Sequence, residues 1–304
     1  MDKYILETKD LCKKYGKSLV LNKLNIHVPK GSIYGFVGKN GAGKTTLIRL
    51  ACGLQHQTSG EIIISGVKNT ESKINDVRKK FGAIIETPAL HLNLSATQNI
   101  ELQLDILGTP NKSKAKELLD FVGLNDTGNK PASNFSLGMR QRLAIAIALC
   151  GDPEFLILDE PMNGLDPQGI IDMRELLLKL NQEKGITILI SSHILDELEK
   201  VATHYGFISK GAIVSEISAE ELHRNFKKSM ILTVNDTTNI DAALKGLVIK
   251  YDIDGLSINV RGDITITDLV LALHKYNIVV ENIISKEESL EKFFFDLIGG
   301  IGNV

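Results

Sequence analysis

The chain has 304 residues, a formal net charge of −2 and 24% charged side chains. This length suits one large or two moderate domains with buried cores, and the balanced charge argues against nucleic-acid binding by bulk electrostatics. Residues 1–7 contain no apolar core, and the apolar run at residues 143–150 is far shorter than the about 18 residues of a membrane span. We therefore expect neither a signal peptide nor a membrane-spanning helix.

Up to about residue 220, short apolar runs alternate with helical patterns, which is typical of an α/β layer fold. Strands are predicted at residues 32–37, 62–65, 82–85, 155–159, 187–191 and 205–209. Helices are predicted at residues 45–52, 112–122, 137–150, 170–183 and 194–201. Ser218 and Glu221 form a capping-box pattern that predicts one further helix.

Beyond residue 225 the pattern changes, because Lys227 and Lys228 interrupt it and a new alternating strand begins. Further strands are predicted at residues 248–251, 257–260 and 279–284, and helices at residues 267–275 and 289–297. This region has no cluster of residue types that would suggest catalysis. We interpret residues 1–225 as the main domain and residues 226–304 as a small α+β accessory domain.

A glycine-rich octet lies between the first predicted strand and helix. Residues 38–45 fit the phosphate-loop pattern G-x-x-x-x-G-K-[ST]. Its glycines let the backbone N–H groups turn towards phosphates, and the helix N-terminus favours an anion. Lys44 would reach the β- and γ-phosphates and the Thr45 hydroxyl would bind Mg²⁺. The residues expected at the phosphates are Gly38, Asn40, Gly41, Ala42, Gly43, Lys44, Thr45 and Thr46. The alternative is a glycine turn that only caps a helix.

A second motif ends the apolar strand predicted at residues 155–159. Asp159 would lie at the carboxyl edge of that strand, beside the phosphate loop, where it could hold Mg²⁺. Glu160 follows with a different direction and could polarise an attacking water as a general base. The alternative is a buried strand that ends in a charged turn.

Two further features lie at the ends of predicted elements. Ser136 and Gly138 precede an apolar helix and are suited to a second phosphate contact at its N-terminus. His193 follows the strand at residues 187–191 and could donate to a γ-phosphate, although a histidine in that position is more often structural.

The order of these motifs resembles the ATP-binding subunit of ABC transporters, over residues 4 to about 222. The segments that carry the resemblance are Tyr15 (the aromatic that stacks on adenine), residues 38–46 (Walker A), residues 136–141 (the signature), Asp159 with Glu160 (Walker B), residues 163–167 including Asp166 (the D-loop) and His193 (the switch histidine). For Tyr15 the alternative is an exposed tyrosine at a strand end.

The resemblance implies a P-loop NTPase cassette, with a RecA-like core, an antiparallel β subdomain and a helical subdomain, ahead of the accessory domain. It implies hydrolysis of ATP with Mg²⁺ by a head-to-tail homodimer, in which each ATP lies between Walker A of one copy and the signature of the other. It also implies a cytoplasmic protein on the inner face of the cell membrane. Contact with the membrane would come only through separate transmembrane permease subunits, and no nucleic-acid partner is expected.

Two positions depart from the family pattern. Met139 replaces a polar signature residue, which affects only the finer contacts because Ser136 and Gly138 are kept. Glu86 stands where most members carry the Q-loop glutamine, and its carboxylate can also bind Mg²⁺. Residues 85–100 resemble the branch of bacitracin-resistance and lantibiotic self-protection exporters, whose Q-loop is an E-loop. The alternative is a one-residue drift in an ordinary drug or ABC-2-type exporter.

Other classes of P-loop protein fit less well. Soluble ABC ATPases of translation carry two cassettes in one chain, and those of DNA repair carry a long coiled-coil insertion. This chain has one cassette and no such insertion. A P-loop GTPase needs an Asn-Lys-x-Asp motif, and the Asn-Lys pairs at residues 22–23, 111–112 and 129–130 lack the aspartate. The sequence therefore favours the ATPase of an exporter.

Overall fold

A computed structural model describes residues 3–225, 229–247, 249–262, 264–286 and 289–299. The chain divides into two compact units, residues 1–220 and residues 221–304. Within the described ranges no helix is both long and apolar enough to span a bilayer. The first unit contains every ATP-binding motif discussed above, and we call the second the C-terminal unit.

The strands are β1 (Tyr4–Tyr15), β2 (Ser18–Leu24), β3 (His27–Pro29), β4 (Ile33–Val37), β5 (Ser59–Ile64), β6 (Val67–Lys68), β7 (Phe81–Ile84), β8 (Phe155–Asp159), β9 (Thr187–Ser192), β10 (His204–Ser209), β11 (Ala212–Ser218), β12 (Ser229–Val234), β13 (Lys250–Asp254), β14 (Ser257–Arg261) and β15 (Val280–Lys286). The α-helices are α1 (Lys44–Ala51), α2 (Ile74–Arg78), α3 (Ala96–Ile106), α4 (Lys112–Phe121), α5 (Leu137–Ala148), α6 (Pro167–Lys184), α7 (Leu195–Glu199), α8 (Ala219–Asn225), α9 (Ile240–Leu244), α10 (Ile266–His274) and α11 (Leu290–Gly299).

A six-stranded sheet forms the centre of the first unit, in the order β11-β10-β4-β9-β8-β7. Its strands pair in parallel except for β11, which is antiparallel to β10. Every residue of β4, β8 and β9 is buried. Both faces of these strands are therefore covered, which explains why they read as uninterrupted apolar runs in the sequence.

A second, antiparallel sheet has the order β2-β1-β5-β6, with β3 paired to β1. Buried side chains of this sheet, of α1 and of β4 and β8 belong to one hydrophobic cluster. Helices α3, α4 and α5 contact one another and form a helical layer. A RecA-like core, an antiparallel β subdomain and a helical subdomain are thus all present, and the predicted α/β cassette is confirmed.

Several predicted boundaries shift by a few residues for local reasons. Strand β5 ends at Ile64 because Ser65 has a φ of 46° and starts a turn. Helix α6 begins at Pro167, earlier than the predicted residue 170. Asp166 caps this helix by accepting from the Gly169 N–H at 3.1 Å, and proline is well tolerated in the first turn. Helix α8 begins directly after Ser218 and ends at Asn225, so it spans the division between the two units.

The C-terminal unit has the order β12-α9-β13-β14-α10-β15, a βαββαβ sequence followed by α11. Its antiparallel sheet runs β13-β14-β12-β15, which is the split-βαβ, ferredoxin-like topology. The sequence indicated an α+β unit but did not predict α9. The predicted strand start at residue 248 lies outside the described residues, and β13 begins at Lys250.

The three cysteines are free thiols. Cys150 is buried, whereas Cys12 and Cys52 are only partly buried. Cys12 lies on β1, where its Sγ accepts from the Lys23 N–H at 3.2 Å. This antiparallel strand has one solvated face, which exposes part of the side chain.

Candidate functional site

The carboxyl ends of β4, β8 and β9 lie side by side. In the strand register Val37 pairs with Ser192, and Asp159 pairs with Ser191. The phosphate loop follows β4, Glu160 follows β8 and His193 follows β9. This edge of a parallel sheet is where open α/β folds bind ligands.

The phosphate loop needs its glycines for two different reasons. Gly41 and Gly43 have φ values of 79° and 112°, which side-chain-bearing residues rarely adopt. At Gly38 a Cβ atom would lie 2.5 Å from Cγ2 and 2.8 Å from the carbonyl oxygen of Ile208. The loop is therefore fixed by backbone conformation at two positions and by close packing at the third. Of the other predicted phosphate contacts, Asn40 is exposed, Ala42 is buried and Thr46 is partly buried.

The amine of Lys44 lies inside this loop. The residue is buried, and its Nζ donates to the carbonyl oxygen of Gly38 at 2.7 Å. The same Nζ lies 3.6 Å from Oε1 of Glu160. A buried ammonium group is costly unless it is paired. The loop thus holds a positive charge at the position where phosphates would need it.

Asp159 is buried and accepts two hydroxyl hydrogen bonds. Thr45 Oγ1 donates to its Oδ2 at 2.8 Å, and the Ser191 hydroxyl donates to its Oδ1. Ser191 was not among the predicted site residues, because its contact with Asp159 depends on the pairing of β9 with β8 in the sheet. Thr45 and Asp159 together offer the oxygen ligands that Mg²⁺ prefers.

The described residues contain no group of three or more histidine, cysteine, aspartate or glutamate side chains that could hold a metal. Mg²⁺ usually binds through one or two protein oxygens together with phosphates and water, and not in an all-protein cage. The hydroxyl of Thr45 and the carboxylate of Asp159 fit that kind of site.

Glu160 contacts His193, whereas Asp159 accepts from Thr45 and Ser191. Its Oε2 accepts from the backbone N–H of His193 at 3.2 Å and lies 2.7 Å from the His193 ring Nδ1. The Glu160 N–H donates to the Ser191 carbonyl at 3.0 Å, and its φ is 53°. The turn after β8 therefore directs two adjacent carboxylates to different partners.

Glu86 follows β7 and has a φ of 61°. Its carboxylate forms an ion pair with Arg49 on α1. The residue also lines a cavity of about 410 Å³, which we call the Glu86 cavity. The cavity is lined by Thr45, Glu86, Thr87, Pro88, Leu137, Gln141, Asp159, Glu160 and Asn163. Glu86 thus shares a cavity with the candidate Mg²⁺ ligands Thr45 and Asp159, while its charge is paired with Arg49.

The signature segment begins α5. Ser136 is the exposed N-cap of this helix, and its Oγ accepts from the Met139 N–H at 3.3 Å. Among the described residues, Ser136 and Gly138 do not line the Glu86 cavity of their own chain, whereas Gln141 does. Within this short segment Ser136 is therefore exposed to solvent, whereas Gln141 faces the Glu86 cavity.

Tyr15 ends β1 and is 43% exposed. Its hydroxyl donates to Gln55, and the Lys13 ammonium lies 4.9 Å from the ring centroid. The strand that follows, β2, lies against the phosphate loop, because a Cβ atom on Gly43 would be 3.2 Å from the carbonyl oxygen of Val20. The hairpin that carries Tyr15 is therefore next to the loop. Asp166, the predicted D-loop residue, is exposed and is the N-cap of α6.

Comparisons with known proteins identify the family of this chain. A family model described as ABC transporter matches residues 21–163. A bacitracin transport ATP-binding protein from Enterococcus faecalis is 40% identical over 306 residues, covering 98% of both chains. A lantibiotic transport ATP-binding protein from Streptococcus pyogenes is 47% identical over 212 residues, covering 70% of this chain and 90% of the relative.

Solved structures give the same result for the fold. CbiO1 of Clostridium perfringens, described as part of the ABC transporter complex cbiONQ, has a TM-score of 0.67 and 26% identity over 74% of this chain and 92% of its own. The cassette MJ0796, solved as a dimer bound to ADP and Pi, has a TM-score of 0.62 and 26% identity over 70% of this chain and 98% of its own. The chain therefore belongs to the ATP-binding subunits of ABC transporters and is an ABC-type ATPase.

Proposed function

We propose that this chain is the cytoplasmic subunit that drives export of a peptide antibiotic of the bacitracin or lantibiotic type, and so provides resistance or immunity. The observation that carries the proposal is the match to the bacitracin transport protein over 98% of both chains. This match includes the C-terminal unit as well as the cassette. Since the lantibiotic relative covers 70% of this chain, bacitracin-like peptides are the first substrates to test.

In the proposed site, each group acts on a different part of MgATP. Lys44 neutralises charge on the β- and γ-phosphates, and Thr45 and Asp159 hold Mg²⁺, which supplies charge stabilisation when bound with ATP. Glu160 takes the proton of the attacking water. His193 orients the Glu160 carboxylate through the contacts of 2.7 Å and 3.2 Å. Tyr15 stacks on adenine.

The proposed active form is a head-to-tail homodimer. Ser136 and Gly138 lie at an α5 N-terminus that is outside the Glu86 cavity of their own chain, and Ser136 is exposed. An exposed helix N-terminus can bind the phosphates of an ATP held by a second copy. Asp166, exposed at the start of α6, would take part in the same interface.

The proposed membrane partners are permease subunits. A groove of about 470 Å³ lies between the loop after β7 and the helical layer, with Pro88, Ala89 and Leu107 in its wall. Leu92, further along the same loop, is 45% exposed. These apolar side chains can receive a permease segment, and the loop connects this groove directly to Glu86. Through the permease, the chain would be held on the inner face of the cell membrane.

Growth of cells against bacitracin and nisin-like peptides tests the proposal, with the partner permease co-expressed. Deleting the gene should increase sensitivity to at least one of the two classes, and Glu160→Gln should fail to restore resistance. Glu86→Ala should lower resistance more than it lowers ATP binding by the isolated chain, because Glu86 couples ATP to the permease. If deletion changed sensitivity to neither class, the chain would be the ATPase of another exporter, such as an ABC-2-type drug exporter.

A further inference from the structure

Two helices that begin at ATP-binding motifs each place one polar side chain near Glu86. Helix α1 starts in the phosphate loop and carries Arg49, the present ion-pair partner of Glu86. Helix α5 starts at the signature and carries Gln141, which lines the Glu86 cavity together with Glu86 itself. Glu86 therefore contacts one motif helix and shares a cavity with a side chain of the other.

Gln141 is buried, with a relative exposure of 6%, and its Oε1 atom has no hydrogen-bond partner among the described residues. Buried side-chain amides are nearly always hydrogen-bonded, because an unpaired one loses its contacts with water without compensation. The terminal torsion of a glutamine is broad and two-fold, so a half-turn exchanges the oxygen and the NH₂ group in the same space. Gln141 can therefore present a donor to an incoming carboxylate.

The present partner holds Glu86 weakly. The Glu86 side chain is 59% exposed and that of Arg49 is 35% exposed, and ion pairs in such surroundings contribute little to stability. The φ of 61° at Glu86 is also unfavourable for a residue with a side chain. A move of the carboxylate away from Arg49 thus has a small cost.

Inside the cavity, the other charged side chains are carboxylates. Asp159 and Glu160 both line it, and Glu160 is 3.6 Å from the Lys44 ammonium. A third carboxylate that moves towards these two is repelled by them, so it needs a cation or a hydrogen-bond donor to receive it. The amide of Gln141 is a buried neutral group in the cavity wall that can donate a hydrogen bond without adding a competing charge.

We propose that Gln141 is a positioning residue for Glu86, and that Glu86 exchanges Arg49 for the Gln141 amide when the cavity closes around ATP. This inference rests on the proposed function. The exchange connects the ATP bound by one chain to helix α5, whose N-terminus faces the second copy. It gives the carboxylate at position 86 a defined role that differs from that of the common glutamine, since only a carboxylate can form an ion pair with Arg49 before it accepts from the Gln141 amide.

A reciprocal exchange of side chains tests the pairing, by measuring kcat and KM for MgATP with the full-length chain. Gln141→Glu should lower kcat by about tenfold with little change in KM, because two carboxylates then face each other. The double variant Glu86→Gln with Gln141→Glu restores an amide–carboxylate pair and should recover to about the rate of Glu86→Gln alone. A double variant as slow as Gln141→Glu alone would overturn the proposal.

A second cycle uses a variant without charge. Gln141→Leu should lower kcat in the parent chain and have almost no further effect in a Glu86→Ala background. The same loss in both backgrounds would show that Gln141 acts independently of Glu86. Gln103→Leu is the matched control, since Gln103 is a partly buried glutamine on α3 outside the Glu86 cavity, and it should leave both rates unchanged.

Arg49→Met separates the two partners of Glu86. Removal of the competing ion pair should leave kcat equal to or above that of the parent, whereas a fall as large as that of Glu86→Ala would make Arg49 the working partner and overturn the exchange. Thermal unfolding of each variant checks that it is folded. If Gln141→Glu does not fold, the comparison of Gln141→Leu in the parent and Glu86→Ala backgrounds tests the pairing instead. Glu160→Gln is run in parallel: a normal rate there would defeat the proposed catalytic site, whereas failure of the pairing would leave Glu160→Gln inactive.

Discussion

The two units of the chain differ in what they bury. In the described residues, every buried polar or charged side chain lies at or before Ser192, in the first unit. Four of them, Lys44, Gln141, Asp159 and Ser191, are at the site. The core of the C-terminal unit, by contrast, is a cluster of aliphatic side chains that includes Leu232, Ile258, Val260, Leu269 and Leu273. Burying a charge costs free energy unless the charge is paired, so the comparison locates the costly buried groups, and with them the proposed chemistry, in the first unit.

The backbone at the site is unusual as well. Glu86 and Glu160 both have positive φ values, 61° and 53°, and both line the Glu86 cavity. In the described part of the C-terminal unit, the non-glycine residue with a positive φ is Asn277, in a turn, and asparagine tolerates this conformation well. Unfavourable backbone at two acidic residues of one cavity is typical of a functional site.

The largest expected effect comes from Glu160→Gln. Loss of the general base should lower hydrolysis by about 10²–10⁴-fold, while ATP binding persists because Lys44 and Asp159 are unchanged. The variant should accumulate as an ATP-bound dimer, which size-exclusion chromatography with MgATP would detect. A monomer that hydrolyses ATP at the parent rate would contradict the assignment of Glu160 and, with it, the contrast between the two units.

Matched leucine substitutions test whether the units are independent. Leu177 on α6 and Leu269 on α10 are both fully buried, and replacing either with alanine should lower the unfolding free energy of its own unit by about 2–5 kcal/mol. Calorimetry with and without MgATP separates the two, because ligand binding stabilises only the unit that binds it. ATP should raise the transition that Leu177→Ala lowers. If Leu269→Ala lowered that ATP-sensitive transition equally, the units would not unfold independently.

A third pair of variants sharpens the comparison within the first unit. Lys44→Ala should weaken nucleotide binding by roughly 10- to 100-fold, since a charge-assisted contact is worth about 1.5–3 kcal/mol. Ser136→Ala should leave binding by the isolated chain nearly intact and lower turnover, because Ser136 would act on the ATP of the second copy. Nucleotide titration and steady-state hydrolysis of both variants separate these roles. Equal loss of binding in both would place the signature contact within one chain.

The sequence predicted the central sheet well because its strands carry their information locally. Strands β4, β8 and β9 are buried on both faces, so each is an unbroken apolar run followed by its motif. Strands β1 and β2 were not predicted, because exposed and partly exposed lysines such as Lys13 and Lys14 interrupt the apolar pattern. The short helix α9 was also missed, since five residues are too few to show a helical period.

The candidate site divides in the same way. The phosphate loop, Asp159 and Glu160 are recognised from residue type and order alone. The pairing of Glu86 with Arg49 joins positions 37 residues apart, and the burial of Gln141 depends on how α5 packs. Ser191 supports Asp159 only because β8 and β9 are neighbours in the sheet. Contacts of this kind follow from the tertiary fold and have no local pattern.

The smallest expected effect concerns alkaline pH. Burial raises the pKa of the Cys52 thiol from 9.0 to about 11, against a smaller lowering by Arg78. Burial likewise raises the pKa of the Cys150 thiol to about 11. A raised thiol pKa means that the folded state keeps a proton that the unfolded state releases. The resulting stabilisation is complete below the unfolded pKa, near 9, and is lost as the pH rises towards about 11.

Both thiols lie in the first unit, so its unfolding free energy should begin to fall above pH 9. In the C-terminal unit the hydrogen bond to Asp241 raises the pKa of Tyr251 above its ordinary value of 10.0, so a fall there should begin only near pH 10. Tyrosines titrate in the unfolded state only from about pH 10 and, since burial also raises the pKa of Tyr34 and Tyr205, they steepen the fall there. Denaturant titrations at pH 8–10 measure how steeply the unfolding free energy falls with pH. A Cys52→Ala, Cys150→Ala double variant should flatten this slope. Only the slopes are compared, because both substitutions also remove packing and so lower the stability at every pH. An unchanged slope between pH 9 and 10 would show that the thiols keep ordinary pKa values in the folded unit.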